Sequence, residues 1–274
     1  MTEPQAHHGV TVSNLEAITA AIASIGFTAI EGGASEPRIY RNEENDPIGQ
    51  MIAPILGDEI RTWFVGNTTT GQQLDLVELT AERSRLERPG DTPAQGDLTI
   101  GLSTDNPDGA YRAMREAAPE LEWSEPEPIP EESGLVFTLD SQRYILTQGP
   151  PFAYIHYARS GFATAWRFFQ RVLGYRLTSL STLGTGDERW SLEGGGGRVE
   201  LVVEEGTPVA TQEAGKRYLG SNHFRLLNAD LKAIAGRVES SGSGKWFFPP
   251  NKEGFAQIIG PTGEFIELYD HSAS

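Results

Sequence analysis

The chain has 274 residues, 38% hydrophobic and 22% charged, a balance that suits one large or two ordinary globular domains. Its 38 acidic residues against 22 basic give a formal charge of −16. Such a surface repels phosphate backbones and anionic lipid, which argues against nucleic acid or a membrane as partner. There is no cysteine, so disulfides, thiolate nucleophiles and Cys-based zinc sites are excluded, and any metal must be held by His, Asp, Glu or amide oxygens.

The N-terminal MTEPQAHHGV has no basic n-region and no apolar h-region, so no signal peptide is expected. No apolar run approaches the roughly 20 residues of a membrane span, and the expectation is a soluble, cytoplasmic protein. His7 and His8 read as a frayed polar terminus.

One unit then occurs four times, in the order strand, helix, about three strands. The first strand, HGVTVSN (8–14), leads into the helix LEAITAAIASIGFTAI (15–30), broken at Gly26, and the unit ends in QLDLVELT (73–80). Glu78 there is expected to be an orphaned or structural carboxylate. ERPGDTPAQG (87–96) bridges to the second unit: DLTIGLS (97–103), a helix in 108–123, the Pro- and Glu-rich loop WSEPEPIPEESG (123–134), and QRYILTQ (142–148). TQGPPF (147–152) marks a boundary between two halves, 1–148 and 149–274.

The third unit runs from AYIHYAR (153–159) through RFFQRVLGYRL (167–177), where Gly174 stops the helix, to GRVELVVE (197–204). SLEGGGGRV (191–199) is a hairpin turn rather than a phosphate loop, since no helix follows it. A long bridge (204–222) leads to the fourth unit: HFRLLN (223–228), DLKAIAGRVESSG (230–242) and GEFIELYD (263–270). Between the last two, Trp246, Phe247 and Phe248 precede Pro249 and Pro250 in an expected loop or lid. In GEFIELYD, Phe265, Glu267 and Tyr269 share one face, and in RVELVVE Glu200 faces away from Val199 and Leu201. Each carboxylate is set among apolar residues, a costly position unless it is paired or metal-bound.

The segments FFQRVLGY (168–175), RVELV (198–202), NHFRLLNADL (222–231) and GPTGEFIELYD (260–270) resemble the vicinal oxygen chelate superfamily, the group of glyoxalase I, extradiol dioxygenases and bleomycin-resistance proteins. The resemblance implies an α+β fold of four βαβββ modules paired into two domains. It implies that the third and fourth modules pair and hold one divalent metal ion (Fe, Mn, Zn or Ni) through His156, Glu200, His223 and Glu267. The spacing agrees, because 200 − 156 = 267 − 223 = 44 residues. The N-terminal pair is expected to lack a metal site.

On this reading the protein is a metal-dependent lyase or isomerase, or cleaves hydrolytically, by Lewis-acid-assisted proton transfer on a small oxygenated molecule. Glu200 or Glu267, loosely ligating, would serve as base, and Gln257 would donate a hydrogen bond to a substrate oxygen. Tyr154, Trp246, Phe248, Phe265 and Tyr269 would line the site, which implies a hydrophobic or aromatic substrate. An extradiol dioxygenase, with His156, His223 and Glu267 as ligands, is the first alternative. It lacks support where Gln257 replaces the signature Tyr and no His lies between 224 and 266. A non-catalytic small-molecule or antibiotic-binding protein is the second. An internally paired chain needs no partner to complete its site, and a homodimer is left open.

Overall fold

The computed structural model describes residues 7–30, 36–46, 49–50, 59–79, 85–86, 96–129, 133–183, 186–194, 197–207, 217–218, 220–226, 229–252 and 254–270. The first module comprises β1 (His7–Val12), α1 (Leu15–Ala23), β2 (Thr28–Ala29), β3 (Arg38–Arg41), β4 (Glu59–Gly66) and β5 (Gln73–Leu79), followed by the short β6 (Arg85–Leu86). The second has β7 (Leu98–Ser103), α2 (Pro107–Ala117), β8 (Glu127–Ile129), β9 (Gly134–Leu139) and β10 (Gln142–Thr147). The third has β11 (Phe152–Ala158), α3 (Arg159–Phe168), β12 (Arg176–Thr182), β13 (Glu188–Gly194) and β14 (Gly197–Glu204), then β15 (Arg217–Tyr218). The fourth has β16 (Gly220–Leu226), α4 (Leu231–Ser241), β17 (Lys245–Phe248), β18 (Phe255–Ile259) and β19 (Phe265–Tyr269).

Local chemistry explains the helix ends. Asn14, Asn106 and Asp230 each accept a hydrogen bond from the backbone N–H three residues on, at 3.0, 3.0 and 2.8 Å. Each such cap contributes about 1 kcal/mol. α3 lacks a side-chain cap and runs on as one wide turn over Phe169–Leu173, ending at Gly174 with φ 81°. Only a residue without Cβ takes that conformation without strain.

The modules do not pair as halves of the chain. One sheet runs β17-β18-β19-β16-β1-β5-β4-β2, with β3 also on β4, so the fourth module joins the first. The other runs β12-β13-β14-β11-β7-β10-β9-β8, so the third joins the second. The expected division at residue 148 into two internally paired halves is therefore corrected. β1 and β16 join the first pair antiparallel, and β11 and β7 join the second. His7 and His8 belong to a central strand between β16 and β5, not to a frayed terminus.

One continuous hydrophobic core takes in all four helices and one side of both sheets, including Ile18, Tyr111, Phe168 and Ile234 from the helices and Val10, Ile100, Ile155 and Phe224 from the strands. Each sheet thus has a helix-facing side and an outer side. Glu78 lies on the helix-facing side, ion-paired to Arg61, which also holds Glu16 of α1. This matches its expected structural role.

The sheets are tied across by buried polar contacts. Tyr157 of β11 donates to Glu264, just before β19, at 2.7 Å, and both residues are almost fully buried. Ser13 donates to Asp140 through its N–H and its hydroxyl, both at 2.6 Å. Removing one partner from a buried, charge-assisted bond leaves the other desolvated. Tyr157→Phe is therefore expected to lower stability by about 1.5–3 kcal/mol in denaturant unfolding. A loss under 0.5 kcal/mol would show that the tie contributes little.

Candidate functional site

The outer face of the nine-stranded sheet gathers polar side chains from β19, β16 and β5, with β1 between the last two. β1 and β5 run parallel with Gly9 opposite Asp75, and β16 and β19 run parallel with Arg225 opposite Glu267. The antiparallel β1–β16 pairing sets Gly9 opposite His223. Alternation then places Asp75, His223, Arg225 and Glu267 on one side, while Leu74, Leu76, Phe224 and Leu226 enter the core. His223 Nε2 lies 3.7 Å from Asp75 Oδ2 and 3.7 Å from Glu267 Oε2. All three residues are buried although they carry charge or can acquire it.

Module equivalence runs through this cluster. Asp75 is to β1 what Glu267 is to β16. His7 and His223 each lie seven residues before a helix cap, at Asn14 and Asp230. His7 thus holds on β1 the position that His223 holds on β16; its side chain lies outside the described residues. Glu267 also takes an ion pair from Arg225 Nε and a 3.3 Å hydrogen bond from Gln257 Nε2. Gln257 Oε1 is buried with no hydrogen-bond partner. Gly9 makes room for the site, because a Cβ at that position would overlap the His223 ring.

Apolar groups border the cluster. Phe265 and Tyr269 share the face of Glu267, and Phe247 packs on Phe265 with ring centroids 4.8 Å apart. Phe248 sits opposite Gln257 in register and packs on Phe247 and Phe255. The expected loop at Trp246–Phe248 is the edge strand β17. Trp246 pairs with Ile258 and packs on the helix-side core, so it turns away from the site.

His156, Glu200 and Tyr154 belong to the other sheet and do not share this site. Both His156 nitrogens are engaged: Nε2 with Thr99 Oγ1 at 2.7 Å and Nδ1 with Glu204 Oε2 at 3.0 Å. Burial alone would raise the Glu204 pKa, but the bonds from His156 and Thr207 hold it below the usual carboxylate range. Glu200 accepts from Arg189 at 3.2 Å, Ser191 at 2.9 Å and Arg198. Arg189 lies 4.7 Å over the Tyr154 ring. These residues form a saturated network. The equal 44-residue spacing reflects module repetition, not shared ligation.

The donor chemistry of the nine-stranded sheet suits a divalent cation: one imidazole nitrogen, two carboxylates and an unpartnered amide oxygen. Two ligands about 2.1 Å from one cation are separated by about 3.0–3.6 Å for angles of 90–120°, close to the spacing at His223. No group of three such side chains among the described residues forms a ready-made cation cage, and Glu267 is turned to Arg225. The residues fit a metal once Glu267 exchanges that partner. The sequence pattern does not single out Asp75 within QLDLVELT; strand register matches it with Glu267.

His8 faces the core beside Val10 and Val12, and its Nδ1 is buried with no hydrogen-bond partner. Burial, and next the nearby His223, lower its pKa from 6.5 to about 4. A histidine that protonates at higher pH when unfolded costs stability as pH falls between those values. In the metal-free protein, unfolding free energy is expected to drop by up to about 3 kcal/mol from pH 6.5 to pH 4 on this account. His8→Phe should flatten that slope. An unchanged slope would assign the loss to carboxylates.

No protein-family model matches the sequence, and no curated protein sequence does. Solved structures do match. Two variants of glyoxalase I from Zea mays are 14% identical with a TM-score of 0.62, covering 97% of this chain and 92% and 93% of theirs. A "putative dioxygenase" from Bacillus subtilis subsp. subtilis str. 168 is 11% identical with a TM-score of 0.56, covering 97% of this chain and 84% of its own. At such identities the likeness speaks for the fold alone, and it spans both sheets and all four modules: the chain has the same fold as these glyoxalase I structures.

Proposed function

We propose that the protein is a metal-dependent enzyme that moves a proton on a small, oxygenated, apolar or aromatic molecule, as a lyase or isomerase, with its site on the outer face of the nine-stranded sheet. The observation that carries this reading is His223 Nε2 lying 3.7 Å from both Asp75 and Glu267 among buried residues. His223, Asp75 and Glu267 would hold one divalent cation, with His7 as the fourth candidate by strand position. Such a cation would polarise a carbonyl oxygen of the substrate and so acidify the adjacent C–H.

The side chains supply the remaining functions. Asp75 or Glu267 accepts the proton at a carboxylate oxygen and returns it to the neighbouring carbon. Of the two carboxylates beside the imidazole, one would loosen from the cation to act as base while the other stays a ligand. Gln257 orients Glu267 through its amide N–H, and its carbonyl oxygen is placed to accept from a substrate hydroxyl. Phe265 and Tyr269 offer an apolar wall.

The test is exchange of the benzylic C–H of phenylpyruvate with D2O, followed by NMR, using protein loaded with Mn(II), Zn(II), Ni(II) or Fe(II). Exchange above the buffer rate that is lost in Asp75→Asn or Glu267→Gln supports the reading. Absence of exchange with every metal argues against it. Oxygen uptake with a catechol and the Fe(II) protein would favour ring cleavage instead.

A further inference from the structure

Of the two equivalent carboxylates, Glu267 has a cation of the same sheet directly opposite it, and Asp75 faces a glycine. Arg225 Nε is ion-paired to Glu267 Oε1, and the two side chains are 23% and 7% exposed. The matching position on β1 is Gly9, over which the His223 ring lies. The arginine is thus built into one half of a repeated motif, at the carboxylate nearest the aromatic wall.

We propose that Arg225 is an internal stand-in for the metal: Arg225 and a divalent cation hold Glu267 in turn, and metal loading frees the guanidinium to receive a negatively charged group of the substrate. The inference rests on the metal-site reading above and deepens it, by naming an anionic substrate.

Three observations carry it. A guanidinium and a dication on the same carboxylate repel at close range in a site with little water, so sharing Glu267 is unfavourable. The freed side chain has a place to rest, because Arg225 Cζ lies 5.9 Å from the ring centroids of both Phe64 and Tyr269, within reach of attraction by their faces. A chain of charge −16 also disfavours anions unless a local cation receives them. A planar fork beside two rings suits a carboxylate carried on an apolar or aromatic body.

The experiment is calorimetric titration of metal-free protein with Mn(II), and of the metal-free and Mn(II)-loaded forms with phenylacetate, for wild type, R225M and R225K. R225M is expected to bind Mn(II) at least tenfold more tightly than wild type. R225K, which keeps a charge but not the Nε contact, should fall between them and decides the question if R225M does not fold. Phenylacetate is expected to bind wild type only when Mn(II) is loaded, and R225M in neither state. Mn(II) binding that is unchanged or weakened in both variants would overturn the competition and leave the metal site standing. Phenylacetate binding that ignores Mn(II) or survives R225M would overturn the anion role. If Mn(II) binds none of the three proteins, the metal-site reading fails and this inference with it.

Discussion

His223→Ala is expected to abolish stoichiometric binding of a divalent metal, whereas His156→Ala keeps it and loses stability instead. The two histidines look alike in the sequence, each in the first strand of a module and each 44 residues before a glutamate (267 − 223 = 200 − 156). Their surroundings differ. His223 Nε2 faces two buried carboxylates at 3.7 Å, and removing one of few donors from a metal site costs orders of magnitude in affinity. His156 spends one nitrogen on Thr99 and the other on Glu204. Its loss strands the buried Thr99 and the partly buried Glu204 and opens a cavity, at a cost of about 2–4 kcal/mol. Elemental analysis and equilibrium metal titration read the first effect, and denaturant unfolding reads the second. Metal binding that follows His156 and ignores His223 would sink the assignment of the site to the nine-stranded sheet.

Gly9→Val is expected to lower metal affinity at least a hundredfold with no change in the four candidate ligands His7, Asp75, His223 and Glu267. The added Cβ would occupy the space of the His223 ring, so the imidazole must leave the face it shares with Asp75 and Glu267. A close-packed sheet offers little room for another rotamer. Gly236→Ala is the matching control. It lies in α4 with nothing within 4 Å of an added Cβ, and should stabilise the protein by about 0.5–1 kcal/mol without touching metal affinity. Equal metal affinity in Gly9→Val and wild type would show that His223 is not a ligand, or that β1 yields more readily than its central position suggests.

The repeat was legible because each module writes its own local signals. Asn14, Asn106 and Asp230 cap helices, Gly174 ends one, and QLDLVELT, QRYILTQ, GRVELVVE and GEFIELYD alternate apolar with polar residues in the strands that close the units. The observed β5, β10, β14 and β19 fall within a residue or two of those segments. That Glu267 and His223 would be costly to bury was legible too, since a carboxylate and an imidazole set among core residues need a partner wherever the strand ends up; both are buried.

Asp75 stood in the same kind of strand, but nothing local set it apart from Glu78. Strand register alone decided that Asp75, and not Glu78, matches Glu267: side chains alternate every residue, so an odd displacement moves a carboxylate from the outer face to the helix side, where Glu78 meets Arg61. No local pattern marks Arg225, because its contact with Glu267 bridges residues far apart in the chain. The sequence by itself determined four βαβββ modules, their helix ends and which residues are costly to bury. Which modules share a sheet was decided only in three dimensions. Four similar modules can pair in more than one way with nearly the same local hydrogen bonding, and the choice lies in long-range contacts such as Gly9 against His223 and Tyr157 against Glu264, which no local pattern encodes.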